Sequence, residues 1–367
     1  MHLLAALVGV FFILGVLVDA FEAIILPRTV MRRVRLSNLF FGLTGVIHQW
    51  IGKMRRCSLR QSLLVAWAPL TLLALIATWA LLLILGWALV DWGLSVAFNG
   101  HPVDLLTDVY FSGVTFLTLG YGDVAPTGAL ARSLSVIEAG MGFMYLALVI
   151  GYVPVLYSAF SRREVQIILL DTRAGSEPTG LELIRRHAEA GAMDQLATVL
   201  RDWERFGAEM LESYLSYPLL AYYRSQHDNQ SWLRSLTAVM DACALIESCF
   251  ESAEPWMKPL HFQARATFAM GRHVLVDLSY ILDVPPVEGD LTRLGPEDAT
   301  RICGVLAQFG LASAHGSEAP LAALRRMYEP YAQGLAGELL LELPIWVEDS
   351  PHIDNWQTSA WEGVTHF

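Results

Sequence analysis

The sequence predicts an all-α membrane protein that carries a mainly helical domain outside the bilayer. Apolar residues make up 54% of the 367-residue chain and charged residues 17%, and the mean hydropathy is +0.43, values typical of membrane proteins. No charged residue occurs between Gln61 and Val90, a stretch long enough to span a bilayer. Residues 1–163 contain 11 basic and 7 acidic residues, whereas residues 164–367 contain 14 and 29. The two halves therefore meet different surroundings, and neither has the basic character of a nucleic-acid-binding protein.

Residues 1–26 are predicted to form the first transmembrane helix. The segment is uncharged up to Asp19, and it lacks the basic residues that begin a secretory signal peptide, so we expect a retained helix rather than a cleaved leader. Asp19 and Glu22 share one helical face near its inner end. We expect them to pair at the interface with basic residues of the next loop, and a functional site inside the membrane is the alternative. These basic residues are Arg28, Arg32 and Arg33.

Residues 27–61 are predicted to form a basic cytoplasmic loop. The loop contains no acid, and its basic residues are Arg28, Arg32, Arg33, Arg35, Lys53, Arg55, Arg56 and Arg60. This excess of positive charge places the loop inside the cell and the N-terminus outside. Apolar residues recur at helical spacing from Leu36 to Ile51, which predicts an amphipathic helix that lies on the membrane beside anionic lipid headgroups. Its role remains open between a slide helix that transmits movement to a gate and a simple interfacial connector.

Residues 62–90 are predicted to form a second transmembrane helix. Tryptophans near its outer end fit an aromatic belt: Trp79, Trp87 and Trp92. After a short external turn, Asp104 is expected to cap a short helix over residues 104–117, with Asp108 also near its positive end. The C-terminal end of that helix carries partial negative charge, which favours a cation beside it.

The stretch Thr118-Leu119-Gly120-Tyr121-Gly122-Asp123 follows this short helix. Glycine at alternate positions allows positive φ angles, which can turn successive backbone carbonyl groups toward one side. A row of such oxygens can replace the hydration shell of a cation. The candidate ion ligands are therefore the carbonyl groups of residues 118–122 and the Thr118 hydroxyl. An ordinary surface turn is the alternative, and the position between two spanning segments favours the ion site.

The motif from Thr115 to Asp123, with its flanks over about residues 62–160, resembles the pore loop of tetrameric potassium channels, in particular prokaryotic channels with a single pore loop. The family pattern is Thr-x-x-Thr-Val-Gly-Tyr-Gly-Asp, and this chain has Leu119 at the valine position. The resemblance implies a potassium selectivity filter at residues 118–123, and the retained Tyr121 favours potassium selectivity. Because each chain supplies one loop and the ring needs four, the resemblance also implies a homotetramer.

The resemblance assigns further roles around the filter. Tyr110 and Phe111 stand where the family has aromatic residues that brace the filter tyrosine, and Thr115 opens the motif. Asp123 is expected at the outer mouth, where it attracts cations or holds the following turn. Val114 replaces a carboxylate that some members keep behind the filter, so a mechanism that needs this acid is not expected.

Residues 130–160 are predicted to form the inner helix of the pore domain, which as a whole covers residues 62–161. Gly142 matches the gating-hinge glycine of the family, and Gly151 with Pro154 offers a second hinge, because proline kinks a helix. Close helix packing is the alternative role for small residues, and we prefer it for Gly140.

Polar residues mark both ends of this inner helix. Glu138, near the outer end, is expected to form a buried hydrogen bond with the pore helix. Arg162 and Arg163 follow the inner end and supply its positive cytoplasmic flank. Three spans then place the C-terminal domain in the cytoplasm.

Residues 162–367 are predicted to form an acidic, mainly helical cytoplasmic domain. Val165–Leu170 fits either a strand or a continuation of the inner helix. Beyond it, helical patterns cover residues 180–190, 193–226 with a break at Pro218, 230–252, 256–283, 297–313 and 319–342. The pattern over residues 230–252 indicates one apolar stripe.

The cytoplasmic domain lacks the signatures of common ligand-sensing modules. It has no Gly-x-Gly-x-x-Gly turn, no EF-hand loop, no P-loop and no repeat. The cysteines have no zinc-ligand spacing and are expected to be reduced: Cys57, Cys243, Cys249 and Cys303. One predicted helix carries the candidate regulatory residues His261, Arg265, Arg272, His273 and Asp277. They suit an anionic ligand or pH sensing, and structural ion pairs are the favoured alternative.

These features predict a potassium-selective channel of the plasma membrane and not an enzyme. Dehydrated K⁺ is expected to move passively through the filter of a homotetramer, and the inner helices are expected to open under control of the cytoplasmic domain and an unknown ligand. K⁺ is the expected permeant ion, with no organic cofactor and no nucleic acid. Two alternatives remain: a weakly selective cation channel, and a signalling or enzymatic C-terminal module to which the pore is an accessory.

Overall fold

The protein is mainly helical in the residues described by its computed structural model. These are residues 2–25, 36–55, 57–100, 104–227, 229–251, 254–289, 293–311, 318–348 and 354–357. Within these ranges the chain forms no β-strand, and an isolated bridge pairs Phe98 with Pro126. The chain divides into two compact units, residues 1–158 and 159–367.

The first unit contains the helices that are apolar enough to cross a membrane. Its helices are α1 (His2–Ala20), continued by a π-helical turn (Phe21–Ile25), α2 (Leu36–Gly52), α3 (Cys57–Gly93), α4 (Leu105–Phe116) and most of α5 (Ala129–Ala174). In the described part of the chain, α1, α3 and α5 are each long and apolar enough to span a bilayer. The protein is a multi-pass membrane protein.

Helices α1 and α3 pack closely through glycines. A Cβ atom on Gly9 would lie 2.4 Å from the carbonyl oxygen of Gly86, and one on Gly86 would lie 2.9 Å from the Ile13 side chain. Small residues at such contacts let helices approach each other in lipid, where apolar burial gives little driving force. Ile13 and Val16 continue the contact into a core that includes Trp79. The N-terminal helix is thus an integral part of the first unit.

Asp19, near the end of α1, joins three helices. Its carboxylate accepts hydrogen bonds from the Ser37 N–H at 3.1 and 3.2 Å, from the Ser37 hydroxyl at 2.9 Å and from the Trp79 indole N–H at 2.9 Å. Ser37 lies in the first turn of α2, where free N–H groups favour a negative charge. The loop arginines expected as partners of Asp19 lie outside the described residues. Asp19 therefore connects the start of α2 to α1 and α3.

Helix α2 covers the stretch for which an amphipathic helix is predicted. Ser37, His48 and Ile51 are buried on one side of it. The other side exposes large apolar side chains: Leu39, Leu43, Val46, Ile47 and Trp50. A helix with this distribution is suited to lie in a membrane interface.

The second unit is built around a helix that is buried on all sides. Its elements are α6 (Gly180–Glu189), α7 (Met193–Ser216), a 3₁₀ turn (Pro218–Tyr222), α8 (Trp232–Cys249), α9 (Met257–Ile281), α10 (Pro296–Gln308), α11 (Glu318–Leu339) and a 3₁₀ turn (Asn355–Gln357). Every residue of α8 from Trp232 to Ile246 is buried, against α6, α9 and α11. The prediction that this helix buries a single apolar stripe is therefore wrong, because three neighbouring helices cover the helix on all sides.

The structure answers two questions about helix boundaries that the sequence leaves open in this unit. Val165–Leu170 is helical, as part of α5. The helix predicted over 193–226 ends before Pro218, because the next residues form a 3₁₀ turn and then irregular chain.

A charged network lies inside the second unit. Asp241 of α8 accepts hydrogen bonds from Arg293 and from the Tyr328 hydroxyl, and Arg293 also pairs with Glu329 at 3.0 Å. Burial raises the pKa of Asp241 to about 6, although Arg293 and Tyr328 favour the ionised form. Arg325 binds Glu329 as well, at 3.0 Å. The network ties α8 to α11 and to the chain before α10.

Arg163 has a structural role that its place in the sequence does not indicate. The side chain is only 3% exposed, and it donates to the carbonyl oxygens of Leu220 at 3.0 Å and Tyr223 at 2.8 Å. It also pairs with Glu164 at 3.0 Å, and Glu164 accepts from the Ser225 hydroxyl at 3.1 Å. Beyond its predicted place in the positive flank of the membrane helix, Arg163 thus binds the last part of α5 to the segment after α7.

Replacing Arg293 with methionine is expected to destabilise the second unit. The change leaves the buried Asp241 carboxylate without its counter-charge, and breaking a buried pair typically costs about 3–5 kcal/mol. Arg265→Met is the matched control, because the Arg265 side chain is exposed. Hydrogen exchange of α8 amides in the solubilised full-length protein measures the effect. Equal protection of α8 in both variants would contradict the role given to the network.

Candidate functional site

The candidate site is organised by α4. Asp104 caps this helix, as predicted, by accepting hydrogen bonds from the N–H groups of Leu106 at 3.0 Å and Thr107 at 3.1 Å. The Thr107 hydroxyl adds a bond of 2.7 Å to the same carboxylate. The helix ends at Phe116, so its C-terminal carbonyl groups lie next to the segment of residues 118–123.

The 118–123 segment alternates between left-handed and ordinary backbone conformations. Thr118 has φ 58°, Gly120 has φ 61° and Gly122 has φ 77°. The glycines adopt this conformation readily, but a β-branched residue such as Thr118 is strained in it by about 1–3 kcal/mol. Left-handed residues at every second position are what the sequence predicts for a row of carbonyl groups that face one side. The strained Thr118 extends this alternation beyond the two glycines.

The hydrogen bonds of this segment run back to α4. The Thr118 N–H donates to the Thr115 carbonyl at 3.0 Å, and the Leu119 and Gly120 N–H groups both reach the Val114 carbonyl, at 2.9 and 3.4 Å. Among the described residues, no backbone N–H donates to the carbonyl oxygens of 118–122. The segment is therefore held by its N–H groups, and its oxygens remain available for another ligand.

The aromatic residues predicted to support the segment contact the chain beyond it. The Tyr110 hydroxyl donates to the Asp123 carboxylate at 2.7 Å. Phe111 is buried against Phe98, with ring centroids 4.7 Å apart, in a cluster that includes Val124. Tyr121 itself is 67% exposed in the single chain. Within one chain, Tyr110 and Phe111 thus hold Asp123 and Val124, at the end of the segment, rather than holding Tyr121.

Helix α5 lies against the end of α4 at Gly142. A Cβ atom on Gly142 would lie 1.9 Å from the Phe116 carbonyl oxygen, whereas Gly140 and Gly151 have no such neighbour within 4 Å. Close helix packing through a glycine was expected at Gly140, and within one chain it is found at Gly142 instead. The helix continues through Gly151 and Pro154.

Glu138 and Ser112 form a polar contact between α5 and α4. The Ser112 oxygen lies 2.5 Å from Glu138 Oε1 and 2.8 Å from the Ile84 carbonyl oxygen of α3. The buried hydrogen bond predicted for Glu138 is confirmed. The sequence does not identify Ser112 as a partner of Glu138, because the two residues are 26 positions apart.

The five candidate regulatory residues on α9 do not share one site. His261 and Arg265 both pair with Glu247 of α8, the former at 2.8 Å. Arg272 donates to the Met327 carbonyl at 3.2 Å. The remaining two, His273 and Asp277, pair with each other at 3.0 Å on the surface. The geometry favours separate structural contacts for these residues. In the described part of the chain, no group of His, Cys, Asp and Glu side chains is arranged to hold a metal ion.

Comparison with known proteins finds a match to an ion-channel family model over the residues around this site. Residues 71–158 match the family model described as "Ion channel". The chain is 22% identical over 235 residues to "Uncharacterized membrane protein YdjJ" of Bacillus subtilis (strain 168), covering 62% of this chain and 67% of that protein. It is 36% identical over 86 residues to "Protein LctB" of Bacillus caldotenax, covering 20% of this chain and 62% of that protein. No solved structure matches. The channel match ends where the first unit ends.

Gly142→Ala is expected to disturb the site, and Gly140→Ala is expected to be tolerated. The added methyl group would overlap the Phe116 carbonyl at position 142 and meets open space in the same chain at position 140. Overpacking of this kind typically costs about 1–3 kcal/mol. The thermal midpoint of the purified protein in detergent, measured for both variants, tests the difference. Equal midpoints would show that α5 does not depend on close contact at Gly142.

Proposed function

We propose that the protein is a potassium-selective channel whose filter is the 118–123 segment. One observation carries the proposal: left-handed residues alternate with ordinary ones at 118, 120 and 122, and the carbonyl oxygens of 118–122 accept no backbone hydrogen bond within the described chain. These features lie inside the region that matches an ion-channel family.

The chemistry of such a segment suits a dehydrated monovalent cation. Carbonyl oxygens carry partial negative charge and replace the water that the ion loses, while the Thr118 hydroxyl adds a ligand below them. Several neighbouring sites let one ion push the next, so transport is passive and follows the gradient. Asp123, held by Tyr110, supplies negative charge at the mouth. K⁺ is the permeant ion in this proposal, and no organic cofactor or enzymatic step is involved.

The channel is proposed to be a homotetramer. One chain supplies one segment, and a closed ring of carbonyl groups needs several copies around an axis. The segment also exposes large apolar side chains in the single chain, with Leu119 at 51% and Tyr121 at 67%. Exposed apolar surface of this size suits contact with neighbouring subunits.

Gating is assigned to α5 and to the second unit. Bending at Gly151–Pro154, or movement at Gly142, would change the width of the pore below the filter. The buried pair of Arg163 and Glu164 links the end of α5 to the segment after α7, so a rearrangement in the second unit would reach α5 directly. A cytoplasmic ligand of unknown identity is the proposed stimulus. The exposed face of α2 is assigned to the inner membrane surface with its anionic headgroups, with the N-terminus outside the cell.

Reversal potentials of the reconstituted full-length protein test the function. With K⁺ on one side of a planar bilayer and Na⁺ at the same concentration on the other, we expect the reversal potential to lie far from zero, with the sign that opposes K⁺ flow. Gly120→Ala is expected to lower K⁺ conductance by about tenfold or more, because a side chain in the left-handed conformation is strained by about 1–2 kcal/mol in every subunit.

Leu119→Val is the control, since it changes only the side chain and keeps the carbonyl group. It is expected to retain both conductance and selectivity. Reversal near zero for the unmodified protein would contradict potassium selectivity and favour a weakly selective cation channel. Assembled protein without any conductance in K⁺ or Na⁺ would overturn the channel itself.

A further inference from the structure

Three helices place buried carboxyl groups beside one another in the first unit. Asp91 belongs to α3, Asp108 to α4 and Glu138 to α5, and Asp108 and Glu138 have no exposed surface. Asp91 lies close enough to both of the others for their charges to interact. Within the described ranges, no basic side chain pairs with any of the three. Their negative charge must be cancelled in another way.

The Ser112 hydroxyl shows where one proton lies. Its oxygen is 2.8 Å from the Ile84 carbonyl oxygen and 2.5 Å from Glu138 Oε1. A hydroxyl group has one proton, and a backbone carbonyl can only accept, so Ser112 donates to Ile84. The short contact with Glu138 joins two oxygen atoms and needs a second proton. Only the Glu138 carboxyl group can supply it, and Glu138 is therefore the donor.

The remaining carboxyl oxygens agree with a neutral Glu138. Glu138 Oε2 and both carboxyl oxygens of Asp108 are buried and have no hydrogen-bond partner. A carboxylate in such a place has lost its hydration and gained no donor, which disfavours the ionised form far more than the neutral acid. The described carboxyl groups are not arranged as metal ligands either. A proton is thus the ligand that fits this cluster.

We propose that Glu138 is a proton-binding site that holds α4 in position, and that release of this proton at alkaline pH disables the pore. The proton-binding part stands on the contacts of Ser112 alone, whereas the effect on conduction rests on the proposed function.

The neighbouring groups explain how proton release would act on the pore. The titratable groups that face Glu138 are Asp91 of α3 and Asp108 of α4, and both are acids. Loss of the proton leaves the single Ser112 hydroxyl proton for two acceptors, so one of the two hydrogen bonds of Ser112 is lost, and it adds a negative charge beside these acids. Helix α4 would then lose a tie to α5 or to α3, while Val114 of the same helix carries the N–H bonds of Leu119 and Gly120. A shift of α4 would therefore disturb the carbonyl row.

Infrared spectroscopy of the full-length protein in lipid tests the proton directly. At neutral pH the difference between unmodified protein and Glu138→Gln is expected to contain the carbonyl stretch of a protonated carboxylic acid. Glu22→Gln, which changes the same residue type in the N-terminal membrane segment, is the control and is expected to leave this band in place. A difference spectrum for Glu138→Gln with only carboxylate bands would overturn the proposal.

Ser112→Ala provides a second variant in case Glu138→Gln does not fold. It removes the acceptor of the Glu138 proton, so the carboxylic acid band is expected to persist and to shift as its hydrogen bond is lost. An unchanged band position would show that Glu138 does not donate to Ser112, and the proposal would fail.

The pH dependence of K⁺ flux into liposomes tests the effect on the pore. Flux through the unmodified protein is expected to fall with rising pH, by at least about tenfold per pH unit beyond the transition, because each subunit of the proposed tetramer loses one proton. Glu138→Gln cannot ionise and is expected to conduct at all these pH values. If both proteins show the same pH profile, the control of conduction is wrong. If no protein conducts, the proposed function fails, and the infrared difference spectra still decide the proton site.

Discussion

The requirement to satisfy every backbone polar group inside a membrane governs the first unit. A bilayer offers no water to an unpaired carbonyl group, so chain that is not helical is tolerated at that depth only where it is buried in protein or lines a cavity. The segment 118–123 meets this condition on one side only: its N–H groups bind the end of α4, and its carbonyl groups bind no N–H group of the described chain. In the function proposed for the protein, a cation binds these oxygens. The capped α4, the contact at Gly142 and the Ser112 bridge all serve to hold this segment.

Buried carboxyl groups are used in different ways by the two units. Asp19 is held by N–H and O–H donors at the start of α2 and by the Trp79 indole N–H. Glu138 contacts the Ser112 hydroxyl, which also contacts the Ile84 carbonyl, and we propose that Glu138 keeps its own proton there. Asp241 lies in the second unit beside Arg293. Hydrogen-bond donors offset the cost of burying Asp19, a counter-charge offsets it for Asp241, and a bound proton does so in the proposal for Glu138.

Local signals in the sequence located several of these features, and contacts between distant residues decided the others. Asp104 is a standard capping residue before an apolar segment, and the cap is present as predicted. Arg163 looks like part of a basic membrane flank, yet it is buried, because its partners other than Glu164 come from residues 214–223, more than fifty positions later. The predicted single stripe of α8 fails for a related reason. The apolar pattern of one helix does not show how many neighbours will cover it.

The sequence by itself determined the membrane spans, the all-helical class and the position of the candidate ion site, because these depend on apolar length and on glycines at fixed spacing. Only the tertiary structure decided what each polar group contacts. It assigned Asp19 to Ser37 and Trp79, Tyr110 to Asp123, and Gly142 to close packing against Phe116. The physical reason is that a hydrogen bond or a steric contact forms or fails when a distance changes by a few tenths of an ångström. The residues that make these contacts are far apart in the sequence, so the sequence does not show their distance.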